Sequence, residues 1–269
     1  YKSLQQLDLS DNMLNYLPHK LGHLQQLKQL NLARNCFESL PDALFSLHNL
    51  EKLDLSGIQL NSLPANIQQL DRLVYLDVSE NFLETLPDSI HHLGQLKELD
   101  LNNNQLDAFP NSFYQLNSLE VLHLSYNQIS YIAPQFAQLS RLKILDLSYN
   151  ELSDLCPAFC QLQRLRTLNL EGNALVHVPT ELMYMPRLKE LDLSDNQLRS
   201  IPEELAHLPA LKWLDLRNNE LNELPESLVL LANKLEELYL EGNYFDDLER
   251  DKILLMLPNT QIYFDTELY

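Results

Sequence analysis

The sequence predicts an α/β solenoid, a curved stack of repeats with a parallel sheet on the concave side and short helical or 3₁₀ segments on the convex side. Segments such as LQQLDLSDNMLNYLPHKLGHL and LKQLNLARNCFESLPDALFSL share the pattern L-x-x-L-x-L-x-x-N-x-L-x-x-L-P-x-x-L-x-x-L at a period of 23 residues. Each copy has an alternating half, a half with helical spacing and a marker asparagine. A fixed period of this length indicates stacked structural repeats.

The first half of each repeat alternates apolar and polar residues, as in Leu7, Asp8, Leu9 and Ser10. A period of two places the leucines on one face, which is typical of a strand with one buried side. Because a repeat cannot bury its apolar side alone, we expect successive strands to pair in parallel.

The second half has apolar residues three to four positions apart behind a proline. In LPDSIHHL these are Leu86, Ile90 and Leu93, and Pro87 suits the first position of a helical turn. A short helix or 3₁₀ segment is therefore predicted on the convex side of each repeat.

An asparagine follows the strand in all but one of the repeats, at a point where buried turn backbone needs hydrogen-bond partners. These side chains are predicted to form a ladder of bonds between adjacent repeats. The column contains Asn12, Asn35, Asn81, Asn104, Asn127, Asn150, Asn173, Asn196 and Asn219 on the 23-residue grid, and Asn243 after one inserted residue.

The asparagine column has one exception, Ile58 in LSGIQL. Turn groups that an asparagine serves elsewhere need another partner there, at a cost of about 1 to 3 kcal/mol if they find none. We interpret Ile58 as a weak point in the stack, with a hinge as the functional alternative.

The C-terminal segment YFDDLERDKILLMLPNTQIYF departs from the repeat. Asp246 and Asp247 mark a helix start, an apolar stripe follows at Leu248, Ile253 and Leu257, and Pro258 stops the helix. Ile262 and Phe264 predict a last strand. We thus expect one domain over 1–269, with about eleven repeats in 1–245, a capping helix and strand in 246–264 and a tail in 265–269.

The 23-residue pattern resembles leucine-rich repeats from Tyr1 to about Phe264, and its L-P-x-x-L half is similar to the Ras-group type. That type occurs in intracellular scaffolds, Roco proteins and many bacterial repeat proteins. The resemblance implies a curved horseshoe that binds a protein on its concave face. The ending resembles the C-terminal caps of bacterial members, so we expect the protein to end nearby, whereas the start inside a repeat leaves room for upstream sequence.

The charge of the chain limits its partners. It has 38 Asp and Glu against 19 Lys and Arg, a formal net charge of −19, which disfavours nucleic acid and anionic membranes and leaves a basic partner open. No apolar run reaches the roughly 18 residues of a membrane helix. The three cysteines lack disulfide spacing, which favours reducing surroundings; a cytoplasmic location fits best, and a bacterial surface or secreted location stays open.

One exposed column carries an aspartate in most repeats, from Asp8 through Asp215. Because LDLS is the commonest text of the repeat, we interpret this acidic stripe as a solvated strand face, against a track for cations or basic peptides. One carboxylate per strand is a poor calcium cage, so we expect no metal.

The segment SLEVLHLSYNQISYI carries apolar and aromatic residues where neighbouring repeats are polar. Val121, His123 and Tyr126 should point out of the stack and form one patch with Ile144 and Tyr149 of the next repeat. Such a patch predicts the centre of a partner site; the alternative is that Val and Ile merely suit an exposed strand.

Further candidate binding residues lie in the same columns. Trp213, with Arg217 on its strand and Tyr239 on the next, looks like a second anchor, and Tyr75 completes the set. His123 falls between Asp100 and Asp146, so protonation and binding are expected to depend on pH near neutrality, although a histidine that simply lies on an acidic face is the plainer interpretation.

The residues do not predict catalysis. Ser125 and His123 stand two apart on one strand, about 6.6 Å from each other, beyond hydrogen-bond reach. Five glycines form no phosphate loop, and the adjacent His91 and His92 should splay apart, so we expect no cofactor and no metal pair.

The expected function is a non-catalytic module that binds a protein or peptide on its concave face. The first alternative is the sensing or dimerising arm of a larger protein, as the likeness to Roco members implies, with a GTPase or kinase elsewhere. The second is bacterial surface adhesion. The exposed patch also suits a homodimer contact.

Overall fold

The computed structural model describes residues 3–37 and 39–265 and divides into two compact units, Tyr1–Gln128 and Ile129–Tyr269. Each unit is a stack of repeats with short parallel strands on one side and 3₁₀ or α-helical segments on the other. The predicted α/β solenoid is confirmed, while the extent of a single domain over 1–269 stays a prediction.

In the first unit, neighbouring strands pair in parallel and in chain order. The strands are β1 (Gln6–Asp8), β2 (Gln29–Asn31), β3 (Lys52–Asp54), β4 (Tyr75–Asp77), β5 (Glu98–Asp100) and β6 (Val121–His123). The helical side comprises 3₁₀ segments His19–His23, Ala65–Gln69, Asp88–His92 and Asn111–Gln115 and the short helix α1 (Asp42–Phe45).

The second unit repeats this plan with the same parallel register. Its strands are β7 (Ile144–Asp146), β8 (Thr167–Asn169), β9 (Glu190–Asp192), β10 (Trp213–Asp215), β11 (Glu237–Tyr239) and β12 (Gln261–Tyr263). The 3₁₀ segments are Pro134–Gln138, Pro157–Gln161, Thr180–Tyr184, Glu203–His207 and Glu226–Leu231, and the helix α2 spans Asp247–Met256.

The core of each unit lies between the strands and the helical segments. The central strand leucines, such as Leu76 and Leu191, and the segment residues, such as Ile90, are fully buried. Phe136 and Phe159 stack with ring centroids 6.4 Å apart. Since full burial of one such side chain contributes about 1.5–3 kcal/mol, the repeated leucines supply most of the stabilisation.

The predicted asparagine ladder is confirmed by its hydrogen bonds. Asn81 Nδ2 donates to the carbonyl oxygens of Leu55, Val78 and Ser79, and Asn81 Oδ1 accepts from the Leu60 N–H at 2.9 Å. Each buried asparagine therefore ties the turn of its own repeat to the preceding repeat.

Ile58 fills its place in the column with a fully buried apolar side chain. The Leu32 and Leu55 carbonyls nearby accept from Asn35 and Asn81, each at 2.9 Å. Turn carbonyls on either side therefore have asparagine donors, and the weak point or hinge at Ile58 stays a prediction.

The prediction that Pro87 occupies the first helical position is wrong. Pro87 is extended, with φ −69° and ψ 147°, and the segment begins at Asp88. The Pro87 carbonyl accepts the first 3₁₀ bond from the Ile90 N–H at 3.0 Å. A proline keeps this carbonyl although it lacks the N–H, so it caps the segment without interrupting it.

The predicted C-terminal helix and strand are present, with one correction. The Asp246 side chain accepts from the Glu249 N–H as an N-cap, Ile253 and Leu257 are buried, and β12 pairs with β11. Leu248 does not belong to the buried stripe, because it is 80% exposed on the outward side of α2. Of the predicted tail, Asp265 accepts from the Gly242 N–H and 266–269 lie outside the described residues.

Candidate partner-binding surface

Within each unit, equivalent residues of successive strands stand side by side. Trp213, for example, is in register with Glu190 on β9 and Glu237 on β11. Adjacent strands lie about 4.8 Å apart, so each exposed column forms a row of neighbouring side chains. We call this the strand face.

The aspartates of the acidic stripe have a structural role that the sequence analysis missed. Asp54 Oδ1 accepts from the Ser56 N–H at 2.9 Å and from Ser56 Oγ at 2.7 Å. The carboxylate thus closes the turn that ends the strand, as short polar side chains often do. The backbone N–H two residues later donates in the same way to the Oδ1 of Asp8, Asn31, Asp77, Asp100, Asp146, Asn169, Asp192 and Asp215.

Two of the predicted site residues replace this turn-closing side chain. His123 stands in register with Asp100, and the Ser125 N–H behind it donates instead to Asn102 Oδ1 at 2.6 Å. Tyr239 stands in register with Asp215. At both positions an aromatic ring occupies the strand face where the repeat otherwise has a structural carboxylate or amide.

A second feature that the sequence analysis missed is the left-handed backbone just before the asparagine column. Tyr126 and Tyr149 have φ 54° and 51° there, and Gly57, Gly172 and Gly242 occupy the same column. A left-handed residue with a Cβ costs about 1–2 kcal/mol, and asparagine and aspartate tolerate it best. Two tyrosines at such positions are therefore held against local preference.

In the first unit, Val121, His123 and Tyr126 all reach the strand face. Val121 and His123 are partly exposed and Tyr126 is 51% exposed. Val121 is in register with Glu98, so an apolar side chain borders an acidic one. These three residues belong to one unit and Ile144 and Tyr149 to the other, and their union in one patch stays a prediction.

Tyr75 lies elsewhere on the first unit, at the edge of a depression of about 410 Å³ over β1 to β4. Its hydroxyl donates to Asp77 Oδ2 at 3.2 Å. Burial, followed by the negative charges of Asp77 and Asp54, raises the pKa of Tyr75. It is therefore a neutral hydrogen-bonding aromatic on an acidic surface.

In the second unit, Ile144 and Tyr149 are each 36% exposed. The Tyr149 hydroxyl donates to Glu171 Oε1 at 2.6 Å. Its ring lies against Gly172, where a Cβ would come within 2.6 Å of the ring and where φ is +65°. Gly172 is thus needed for both its conformation and the close approach of the tyrosine.

Trp213, Tyr239 and Tyr263 form an aromatic row across β10, β11 and β12. The Trp213 and Tyr239 ring centroids are 5.4 Å apart, and Tyr239 and Tyr263 stack at 4.4 Å with an interplanar angle of 7°. The hydrogen bond from Tyr239 to Glu237, with some burial, raises the pKa of Tyr239 to about 12. Trp213 and Tyr239 were predicted from the sequence, whereas Tyr263 was not, although it continues the column of Tyr239 24 residues later.

Arg217 is placed by the strand as predicted, but its guanidinium is already engaged. Nε and Nη2 donate to the fully buried Asp215, and the guanidinium carbon lies 5.2 Å from the centre of the Tyr239 ring. These bonds raise the pKa of Arg217. Arg217 therefore holds the aromatic row in place and neutralises the buried carboxylate.

A depression of about 460 Å³ opens beside this row over β8 to β11. Trp213 and Leu168 form its apolar wall. Four carboxylates, those of Glu190, Asp192, Glu236 and Glu237, and the ammonium group of Lys212 also line it. Burial, with the nearby charges of Asp215 and Glu171, raises the pKa of Asp192 to about 6, against the opposing bonds from Ser194. Glu190 and Glu237 were absent from the predicted site because glutamate is common at such exposed strand positions.

The predicted separation of His91 and His92 is wrong. Their ring centroids are 4.0 Å apart, because each Nδ1 turns back to a carbonyl oxygen three residues earlier, that of Asp88 or Ser89. Within residues 3–37 and 39–265, no three His, Cys, Asp or Glu side chains form a group that could hold a metal ion. No helix in this part of the chain is long and apolar enough to cross a membrane.

The paired strands, 3₁₀ segments and asparagine bonds define a solenoid of 23-residue repeats. A leucine rich repeat profile matches 106–152, 133–175, 163–221 and 186–245, a leucine-rich repeat region profile matches 1–101, and a further profile matches 95–116. The chain therefore belongs to the leucine-rich repeat family, whose members are typically non-catalytic interaction modules. A comparison with curated protein sequences gives no match.

Solved structures share the fold. A leucine-rich repeat protein of Leptospira interrogans is 28% identical with a TM-score of 0.62, and the match covers 98% of this chain and 90% of that chain. The plant peptide hormone receptor RGFR1, in complex with RGF2, is 25% identical with a TM-score of 0.77 over 98% and 47%. The ectodomain of the Arabidopsis thaliana receptor kinase GASSHO1/SCHENGEN3, in complex with CASPARIAN STRIP INTEGRITY FACTOR 2, is 29% identical with a TM-score of 0.68 over 97% and 35%. This chain thus spans less than half of each plant receptor structure.

Proposed function

We propose that the chain is a non-catalytic interaction module that binds a protein or peptide partner on its strand face. The observation that carries the proposal is the aromatic row Trp213, Tyr239 and Tyr263, which lies partly exposed on a face that is mostly polar elsewhere. Large rigid aromatic side chains and arginine are the residue types that dominate binding energy at protein interfaces.

Two further observations support binding. Tyr126 and Tyr149 keep aromatic rings on the surface at left-handed positions, where smaller residues fit better. The two plant receptor structures hold a hormone or an integrity factor on the same fold. A partner with basic segments suits the net charge of −19.

The test compares capture of proteins from source-cell extract by the intact chain and by an Ile144→Glu, Tyr149→Glu variant. We expect the variant to capture at least about tenfold less of its partner, because two carboxylates would be buried unpaired in the interface. Capture is measured by mass spectrometry, and circular dichroism checks that the variant is folded.

The chain offers a matched control in Val176→Glu, Tyr184→Glu. Val176 is 36% exposed, as Ile144 is, and Tyr184 is 69% exposed at the end of a 3₁₀ segment. This control should capture the same partner as the intact chain. Equal capture by the strand-face variant and the control would refute a binding role for Ile144 and Tyr149.

A second candidate function is the sensing arm of a larger signalling protein. It is favoured by the coverage of the plant receptor structures, of which the chain spans 47% and 35%. In that case a GTPase or kinase domain elsewhere would provide the output. Bacterial surface adhesion and homodimerisation remain other uses of the same face, and light scattering distinguishes a homodimer directly.

A further inference from the structure

We propose that the depression beside Trp213 receives an arginine side chain from a basic segment of the partner, an inference that rests on the proposed binding function of the strand face. The depression has a volume of about 460 Å³ and opens over β8 to β11. Its size and open mouth suit one extended side chain with part of its backbone.

The register of β9, β10 and β11 places the Trp213 side chain between two carboxylates. Trp213 is in register with Glu190 on one side and Glu237 on the other. Strand spacing of about 4.8 Å puts each glutamate next to the indole. A planar cation that stacks on the indole would therefore find hydrogen-bond acceptors at both of its edges.

Internal contacts fix these two carboxylates. Thr167 Oγ1 donates to Glu190 Oε2 at 2.8 Å, and the Tyr239 hydroxyl donates to Glu237 Oε2. Each of these bonds uses one oxygen of its carboxylate and orients the group. The site is thus positioned before a ligand arrives, which lowers the entropic cost of binding.

Lys212, which lines the depression, and Arg217, which follows the strand of Trp213, are both engaged with carboxylates. Lys212 pairs with Glu236, and Arg217 pairs with the buried Asp215. Glu190, Asp192 and Glu237 therefore leave the depression with an excess of negative charge. Charge complementarity selects a cationic occupant and disfavours an acidic peptide or a phosphate.

Arginine fits better than a metal ion or lysine. Glu190 and Glu237 are two strands apart, about 9.6 Å between backbones, with the indole between them, so they cannot converge on one ion at about 2.4 Å. A guanidinium is planar, stacks on aromatic rings and offers five donors, whereas an ammonium is compact and strongly hydrated. The occupant is therefore a guanidinium.

Trp213 is the only tryptophan of the chain, so intrinsic fluorescence reports on this site. The intact chain is titrated with N-acetyl-arginine amide and with its neutral analogue N-acetyl-citrulline amide at constant ionic strength. We expect a saturable change with half-saturation on the order of 1 mM for the arginine probe. The citrulline probe should need at least about ten times more, because it lacks the charge.

Paired variants separate the site from the general charge of the surface. Glu190→Gln, Glu237→Gln should weaken arginine binding by about tenfold. Glu203→Gln, Glu204→Gln removes the same charge from exposed residues of a 3₁₀ segment and should leave it unchanged. Near-ultraviolet circular dichroism confirms that the aromatic row is intact in both.

The proposal is overturned by no saturable change up to about 20 mM, which is twentyfold above the expected half-saturation. It is also overturned by equal binding of citrulline, or by equal weakening in the two paired variants. If these results occur while the Ile144 and Tyr149 variant still loses its partner, the arginine site alone is refuted. If that variant also keeps its partner, the proposed binding role of Ile144 and Tyr149 fails as well.

Discussion

At the scale of single residues, the same aspartate–serine turn has opposite electrostatic consequences in different repeats. Asp8 is exposed, and its bonds from the Ser10 backbone and hydroxyl lower the pKa of its carboxyl. Asp192 makes the same bonds with Ser194, but burial and then Asp215 and Glu171 raise its pKa to about 6. The position of the repeat along the stack, rather than the local motif, therefore decides whether the pKa of the aspartate is raised or lowered.

We expect Asp192→Asn to reduce the pH dependence of stability. The raised pKa means that the folded state binds more protons than the unfolded state between about pH 4 and pH 6, so ionisation of Asp192 lowers stability as pH rises through that window. The difference between a pKa of about 6 and the ordinary value of 3.8 corresponds to about 1–3 kcal/mol in the free energy of unfolding. Asparagine keeps the acceptor for Ser194, so urea unfolding of the variant should be flatter between pH 4 and 7 and show equal or greater stability at pH 7.

Asp8→Asn serves as the control with the opposite sign. The pKa of Asp8 is lower in the folded state than its ordinary value of 3.8, so the ionised carboxylate stabilises the fold above about pH 3.8. This stabilisation is lost as the pH falls through the folded-state pKa. This variant should lose some stability at pH 7. A steep fall in the stability of Asp192→Asn from pH 4 to 7, as in the intact chain, would contradict the assigned role of burial.

The burial and backbone conformation of single residues were also the features that the sequence predicted least well. Ile253 and Leu257 were correctly placed inside, but Leu248 was wrongly placed with them, because a single helical stripe cannot show how α2 rotates against its neighbours. Tyr126 and Tyr149 were recognised as exposed, but their left-handed backbone was missed, although three other repeats have glycine in the same column. Glu190 precedes Trp213 in the same column but was not predicted as a site residue, because glutamate is common at exposed strand positions.

At the scale of elements, the asparagine turn is the unit that connects one repeat to the next. The sequence predicted this ladder, because a buried turn has donors and acceptors that a side-chain amide at that position can satisfy. The ends of the 3₁₀ segments were harder to place, since a proline fits both the first position and the residue before it.

The Asn81→Ala variant tests how much one buried asparagine of the ladder contributes to the free energy of unfolding. The change removes three donor bonds and the acceptor for the Leu60 N–H from a buried position, so we expect a loss of about 2–4 kcal/mol in the free energy of unfolding. Asn12→Ala is the matched control, because Asn12 is exposed and donates to two carbonyls of its own turn. Hydrogen exchange should accelerate at Leu60 in the first variant only. Similar losses in both variants would show that burial does not set the contribution of the asparagine.

At the scale of the whole molecule, repetition made the fold predictable and the site difficult. The 23-residue period predicts the strands, the 3₁₀ segments and the asparagine ladder together, since each repeat must stack on its neighbours. The strand face is free to vary, so its function depends on departures such as Trp213 and His123 rather than on the pattern. The partner determines which departures matter, and no rule of folding specifies the partner.

Net charge is the other property of the whole chain, and it yields a prediction about stability. With −19 over 269 residues, repulsion among carboxylates opposes the compact state, and the Debye length falls from about 30 Å at 0.01 M salt to about 10 Å at 0.1 M. Raising NaCl from about 0.01 M to 0.3 M should therefore increase the Tm, by about 3 °C for each 1 kcal/mol of relieved repulsion. Choline chloride at equal ionic strength should act equally, because screening does not depend on the identity of the cation. A Tm that stays constant or falls would show that repulsion is not limiting, and an increase confined to NaCl would indicate a specific sodium site instead.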